Sequence, residues 1–494
     1  MNKDKKIERL EQKLAKALEE IKELKSDARK VKRESSKASK KGRQDYNADQ
    51  RTATITFEAV KRYTYSGFMM MTAFLLCIYA GCSPRQAAKS LEVFNFMFHG
   101  LLGDSPCHTT IRTWLAKMGL DAIKHKSKSL DEAYAIIMDA SISVGDQQML
   151  LALKVPADHT GKALTHADEE VVGMAVSESW PAAKVKEFCE EITQEQGHEP
   201  EYYITDNGKN LSKAIGLLEL PHHKDISHTL AVFLKQVYGK DEEFVAFKDL
   251  VANTKHLALT KFAYLMPPKQ RSMARFMNMY PIADWAKKIL LNYPRMTRDE
   301  KYYFSFVPRN ASLVEELDEV MTAYTEIMRM CKQEGFSVQT VEKCKACLSQ
   351  RLLDGNERMR QLHQLIVDYL EKESGLLTEK HPNHNISSDI IESDFGIFKD
   401  CMPSNKTNGF TEAILYIPLR PKACNLGDAA QIDIKAIMER RTVKEVKQWK
   451  KEYLKDNPMT KRRTSNRTPY FGSAKIVYRR VRAKRTPKRP TLES

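Results

Sequence analysis

The sequence predicts a multidomain, α-rich protein whose central α/β core is interrupted by a long helical block. Three observations predict it. The chain has 494 residues, which at roughly 100 to 200 residues per domain makes about three units. Between about 130 and 238 the hydrophobic pattern alternates between strand-like and helical runs. From 239 to 383 strand signals nearly vanish and helical stretches recur. An apolar content of 42% suffices for ordinary cores and excludes global disorder.

Taken in order, Ile7, Leu10, Leu14, Ala17, Ile21 and Leu24 alternate at spacings of three and four, an a/d seam that predicts a coiled coil over 1–30. Its use is self-association, as a homodimer or larger, or packing on its own domain. Residues 31–55, rich in Lys, Ser and Arg, read as a basic linker. A helical domain follows over 56–125. Its apolar run Phe68–Cys82 is 15 residues long and includes Thr72 and Gly81, short of the ~20 needed to span a bilayer, so it reads as a buried helix. Ser83-Pro84 opens one helix and Ser105-Pro106 precedes a second. In the second, Ile111, Trp114 and Leu115 are spaced to face a core, and Thr110, Arg112 and Thr113 take polar positions. That pairing is helix-turn-helix-like and suits a helix lying in the major groove of DNA.

The core, expected over 130–238 and resumed over 384–435, begins with strands at Ala135–Ile142, Gln148–Val155 and Glu170–Ser177. A helix at Ala182–Gln196, a strand from Tyr202 that ends in the acid Asp206 before Asn207-Gly208, a short helix, a last strand at Lys224–His228 and a helix at Thr229–Tyr238 complete it. Three strands, helix, strand, helix, strand, helix is the order of a ribonuclease-H-like α/β fold. The insertion at 239–383 shows helices near Phe244–Val251, Ala283–Leu291, Ser312–Cys331, Val341–Leu353 and Asn356–Glu371. After it, Ser388 or Asp389 caps a helix with Ile391, Phe395 and Phe398 on its inner face.

Three acids stand out. Asp139 lies inside an apolar strand, where an ionised carboxylate needs a cation or a strong donor. Asp206 ends a second strand at a Gly-containing turn, and in a ribonuclease-H-like sheet the first and fourth strands are neighbours, so the two converge. A third acid on a helix crossing that edge completes a site for two divalent ions. Glu392 is the choice, with Asp389 and Asp394 as rivals. Hard Mg²⁺ prefers such oxygen ligands, so Mg²⁺ is the expected cofactor, two ions per site, with Mn²⁺ able to substitute.

With these residues in place, the stretch from about Ala133 to Lys399 resembles the DDE transposases, ribonuclease-H-like enzymes with an Asp, Asp, Glu triad. Asp225-Ile226-Ser227-His228 matches the Asp-x-x-His element of hAT-like and related cut-and-paste transposases. A helical insertion separates that element from Glu392, as in that group. Lys399 follows Glu392 by seven residues, where such enzymes commonly carry a basic residue near the DNA end. The resemblance implies catalytic and metal-binding roles for Asp139, Asp206 and Glu392. It also implies metal-dependent cleavage of element ends and strand transfer into target DNA. His228 then orients the scissile phosphate, or else caps a helix. Trp285 resembles, in location only, an insertion-domain Trp that stacks on a flipped base; it also fits as a core Trp of an amphipathic helix. Nearby Lys269, Arg271 and Arg275 form a basic edge. Cys344-Lys345-Ala346-Cys347 lacks a second pair at zinc spacing, although Cys331 and His363 are within reach of a ligand set; helical core cysteines are the other reading.

The formal charge of +16 is uneven: +6 in 1–50, +14 in 441–494 and −4 between. Basic ends on a near-neutral body suit a protein that holds double-stranded DNA. In the basic tail over 436–494, Lys461, Arg462, Arg463, Arg479 and Arg480 interleave with Tyr470, Phe471 and Tyr478, as in an arm that orders along DNA. Nine scattered Cys and an N-terminus charged from Lys3 onward point to a reducing compartment without a signal peptide or membrane span. That means cytoplasm and nucleoid in a prokaryote, or nucleus in a eukaryote. Two other functions fit the same chain: a structure-specific nuclease that hydrolyses without joining, and a domesticated, non-catalytic DNA-binding protein.

Overall fold

The computed structural model describes residues 60–100, 103–124, 132–144, 147–159, 161–258, 261–268, 276, 279–401 and 410–454. The expected coiled coil, the linker, Lys269, Arg271, Arg275 and the tail residues Lys461, Arg462, Arg463, Arg479 and Arg480 lie outside them. The chain divides into two compact units, one comprising residues up to Trp114 with Lys422–Arg440, the other Leu115–Pro421 with Arg441 onward. Residues 422–435, expected in the core, thus belong to the first unit.

In the first unit, α1 (Gly67–Phe74) starts where the Ser66 hydroxyl accepts from the Met69 N–H, and it buries Met69, Met70 and Phe74. The first half of the apolar run is thus the expected buried helix, whereas its continuation Leu75–Tyr79 is a π-helical turn with no fully buried residue. No helix among the described residues is long and apolar enough to cross a membrane. Helix α2 (Pro84–Met97) opens with a reciprocal capping box between Ser83 and Gln86. Ile434–Arg440 packs on α1, and the Tyr63 hydroxyl donates to the Met438 carbonyl at 3.2 Å. Helix α3 (His108–Lys124) contains the boundary; its Trp114 ring meets Tyr65 edge-on, with centroids 5.1 Å apart.

The second unit is built on a mixed five-stranded sheet of β1 (Tyr134–Val144), β2 (Gln147–Pro156), β3 (Glu170–Ser177), β4 (Tyr202–Thr205) and β5 (His222–Lys224), in the order β3-β2-β1-β4-β5. The first three strands run antiparallel, while β4 is parallel to both β1 and β5. Both faces are covered, which explains why β1 and β2 read as nearly continuous apolar runs. Ile136, Met138 and Tyr203 pack under α4 (Ala182–Gln196) and α5 (Lys209–Gly216). Ile137, Leu151, Tyr202 and Ile204 face a second layer that includes the C-terminal part of α3.

The last strand ends earlier than expected. Asp225 is the N-cap of α6 (Ile226–Tyr238), its carboxylate accepting the His228 N–H at 2.7 Å, so Ile226, Ser227 and His228 form a first helical turn. The helical block then runs through α7 (Glu242–Ala258), α8 (Tyr280–Asn292), α9 (Arg298–Phe304), α10 (Ala311–Gln333), α11 (Val338–Leu348) and α12 (Glu357–Ser374) around one apolar core. Arg358 ties its start together, donating to Asp241, Glu243 and Glu316. Helix α9 is not among the expected helices, although Thr297 and Glu300 form a capping box that the sequence displays.

The block returns the chain to the sheet at α13 (Asp389–Cys401), which buries Ile391, Phe395 and Phe398 as expected. Beyond it, α14 (Val443–Tyr453) lies within the stretch expected as tail, yet Val446 and Trp449 are buried in the same layer as α13. One Trp on an amphipathic basic helix is enough to dock it.

Candidate active site

Met138 of β1 pairs with Thr205 of β4 in parallel register. The next residue on each chain is an acid, and each shares the face of Ile137 or Ile204, which α13 covers. The strand geometry therefore brings Asp139 and Asp206 together. A register shift in the β1–β2 ladder begins immediately after Asp139, a bulge of the kind that re-aims a side chain at a sheet edge. Asp139 Oδ1 accepts from the Ala140 N–H at 2.6 Å, and Asp206 Oδ1 accepts from the Gly208 N–H at 2.8 Å. A Cβ at position 208 would lie 2.6 Å from that Asp206 oxygen, so the turn favours glycine. Asp139 is only 7% exposed. Burial, with the Asp206 charge beside it, pushes its carboxyl up to about 7.

Glu392 arrives from α13. Its carboxylate lies 3.5 Å from His228 Nε2, and both Glu392 and Asp206 act electrostatically on His228 and on Asp139. The three acids and the imidazole thus lie within electrostatic reach of one another. Burial pushes the Glu392 carboxyl above its ordinary range. His228 goes up to about 9, mainly through its bond from Nδ1 to Asp225 Oδ1 at 2.9 Å, so it is an imidazolium near neutral pH.

Asp225 sets this geometry from below. It is fully buried, and its second oxygen accepts from both the Ser388 N–H and hydroxyl, at 2.6 and 2.9 Å. The start of α13 is therefore bonded to the start of α6. The same approach is held by Ile226 N–H donating to the Ile386 carbonyl at 3.0 Å and by Tyr202 stacked on His384, 4.0 Å apart. Ser388 spends its hydroxyl on Asp225, while its carbonyl starts the helix by accepting from Ile391.

The rivals of Glu392 are engaged elsewhere. Asp389, with its side chain 53% exposed, pairs with Lys332 and accepts from the Ser227 hydroxyl at 3.2 Å. Asp394 is fully buried on another side of α13 and joins a cluster that the sequence did not suggest. There His166 and Glu169, flanking Asp168 just before β3, meet Asp394, with one ligand atom from each of the three all within 4.8 Å. Burial is the main cause that lifts Glu169 to about 9 and Asp394 to about 7. A His and a Glu three residues apart beside a capping Thr165 are the only sequence signal.

The remaining candidates are placed as follows. Lys399 lies on α13, its side chain outside the described residues. Thr110 and Arg112 are half-buried in the first turns of α3. Trp285, 8% exposed, packs edge-on to Phe304 with its indole N–H donating to the Leu265 carbonyl at 2.8 Å. It is a core residue of α8, which corrects its place among DNA contacts: a ring that is buried and already bonded has no face for a base. Cys344 Sγ lies 3.9 Å from Cys331 Sγ in the helical core, Cys347 donates to Glu326, and His363 is paired with Ser349, so these residues gather no zinc ligand set. Comparison with known proteins finds no family model that matches this chain and no curated protein that matches it.

Proposed function

We propose that the chain is a DNA transposase that binds element ends, cleaves phosphodiester bonds and transfers the resulting 3′-hydroxyl ends into target DNA. The observation that carries the reading is the convergence of Asp139, Asp206 and Glu392 from two parallel strands and a crossing helix, next to a cationic His228. The sheet order β3-β2-β1-β4-β5, with β4 and β5 parallel to β1, is the arrangement expected of a ribonuclease-H-like core.

The acids fit a pair of Mg²⁺ ions, with Mn²⁺ as substitute. Asp139 is a buried carboxylate accepting one backbone N–H beside a second acid, a donor set that a dication stabilises. Asp139, Asp206 and Glu392 are the residues that would hold them. When bound, such ions activate water or a 3′-hydroxyl and stabilise the leaving oxygen during in-line displacement at phosphorus. His228, kept protonated by Asp225, offers Nε2–H to a phosphate oxygen on the Glu392 side. Asp225 fixes the orientation of the ring and holds the start of α13 at the sheet edge.

The test uses purified protein, Mg²⁺, a labelled candidate element end and a supercoiled target plasmid. Asp139→Asn, Asp206→Asn and Glu392→Gln should each abolish cleavage and joining while end binding stays largely intact, because phosphate contacts lie elsewhere. Full activity of Glu392→Gln overturns the triad. Cleavage without joined product under any divalent ion transfers the reading to a structure-specific nuclease, and binding with no cleavage to a non-catalytic DNA-binding protein.

A further inference from the structure

The cluster of His166, Glu169 and Asp394 is separate in its residues from the three acids of the proposed active site. Its chemistry is unbalanced. Both oxygens of Asp394 and the Oε2 of Glu169 are buried with no hydrogen-bond partner, although a buried acceptor left without a donor costs about 1–3 kcal/mol and a charged one more. The nearest donor is one imidazole: His166 Nδ1 lies 2.6 Å from Glu169 Oε1 and 3.6 Å from Asp394 Oδ1. The Arg420 charge acts on both carboxylates, and the two carboxyls bear on each other.

We propose that His166, Glu169 and Asp394 bind a single first-row transition dication of the Zn²⁺ class. One imidazole nitrogen and two carboxylates, His166 and Glu169 from the segment before β3 and Asp394 from α13, make a donor set for such ions, since imidazole suits Zn²⁺ whereas Mg²⁺ keeps to oxygen. The outer contact is in place as well. His166 Nε2 lies 3.2 Å from the Ser393 hydroxyl, which can accept Nε2–H and so leave the Nδ1 lone pair for the metal. The dication supplies the positive partner that the orphaned oxygens of Asp394 and Glu169 lack. It also joins the segment leading into β3 to α13, two residues from Glu392, and so holds that helix against the sheet. The site does not rest on the transposase reading.

The test uses the full chain carrying Asp139→Asn and Asp206→Asn, which removes two ligands of the other site, stripped with a chelator and titrated with Zn²⁺ by calorimetry. One equivalent should bind and raise the thermal midpoint as its concentration exceeds Kd. Co²⁺ in its place should give visible absorption bands. His166→Gln, at a partly exposed side chain, and Glu169→Gln should each weaken uptake by more than about 100-fold, beyond the roughly 10- to 100-fold typical of an outer-shell change. Asp394→Asn is the buried variant, and the other two report even if it does not fold. Absence of a saturable equivalent overturns the proposal, as does uptake unchanged by His166→Gln, the result expected if cysteines bind the metal. A wild-type chain that neither cleaves nor joins DNA, while the doubly substituted chain still takes up the His166-dependent equivalent, would remove the transposase reading and leave this one standing.

Discussion

Asp225 accepts four hydrogen bonds, two from His228 and two from Ser388, with no exposed surface. Burial pushes its carboxyl up, and the bonds outweigh it, leaving it below the ordinary range. Its stabilising effect is therefore present above the unfolded carboxylate range and is lost as pH falls through the folded value. Asp225→Ala should lower stability by about 3 kcal/mol, because it leaves buried donors unpaired; urea unfolding measures this. The same change should bring His228 down from about 9 toward an ordinary imidazole value, read by NMR titration. Asp139 has the opposite sign. Its folded pKa, about 7, lies above the unfolded one, so its contribution is full below the unfolded value and is lost as pH rises through 7. In chelator, the wild-type chain should therefore lose stability relative to Asp139→Asn between about pH 4 and 7, and a pH-independent difference between the two would contradict this account.

At the scale of elements, β2, β3 and α4 stand where their apolar patterns put them, because local pattern and burial agree there. The start of α6 departs from its pattern because a single side chain, Asp225, captures the His228 N–H and outweighs the strand-like run of Lys224–His228. Likewise α14 has the pattern of a charged tail, since most of its residues are polar; it docks through Val446 and Trp449, with Lys450 paired to Glu412. The active-site acids are readable as breaks in apolar strands. The His166 cluster is not, because its three members are contributed by two loci 225 or more residues apart that only the packing of α13 brings together. Two elements make that packing testable. Phe395→Ala, at a side chain 1% exposed, should cost about 3–5 kcal/mol and loosen the helix that carries Glu392. Gly119→Ala would set a Cβ 1.8 Å from the Leu415 carbonyl oxygen and should cost about 2 kcal/mol or more. Urea midpoints report both.

For the whole molecule, positive charge and the proposed catalytic acids are separated along the sequence. Most of the +14 of 441–494 lies beyond α14, whereas the last of the three acids is Glu392. Deleting Lys461–Ser494 should weaken DNA-end binding and flatten its dependence on log salt by roughly 0.9 for each phosphate no longer neutralised, with joining of a pre-nicked end supplied in excess still dependent on Asp139. Fluorescence anisotropy across a salt series measures the slope.

The bond between Asp225 and Ser388 spans 163 residues, and the helical block lies inside that loop. Contacts so distant in sequence form late in folding, because closing the loop is entropically costly until the intervening core has condensed. During synthesis at about 5–20 residues per second, Asp139 and Asp206 leave the ribosome on the order of ten seconds or more before Glu392. A nascent or truncated chain therefore has two acids and no third, and the cutting activity proposed above would become available only on completion of the insertion.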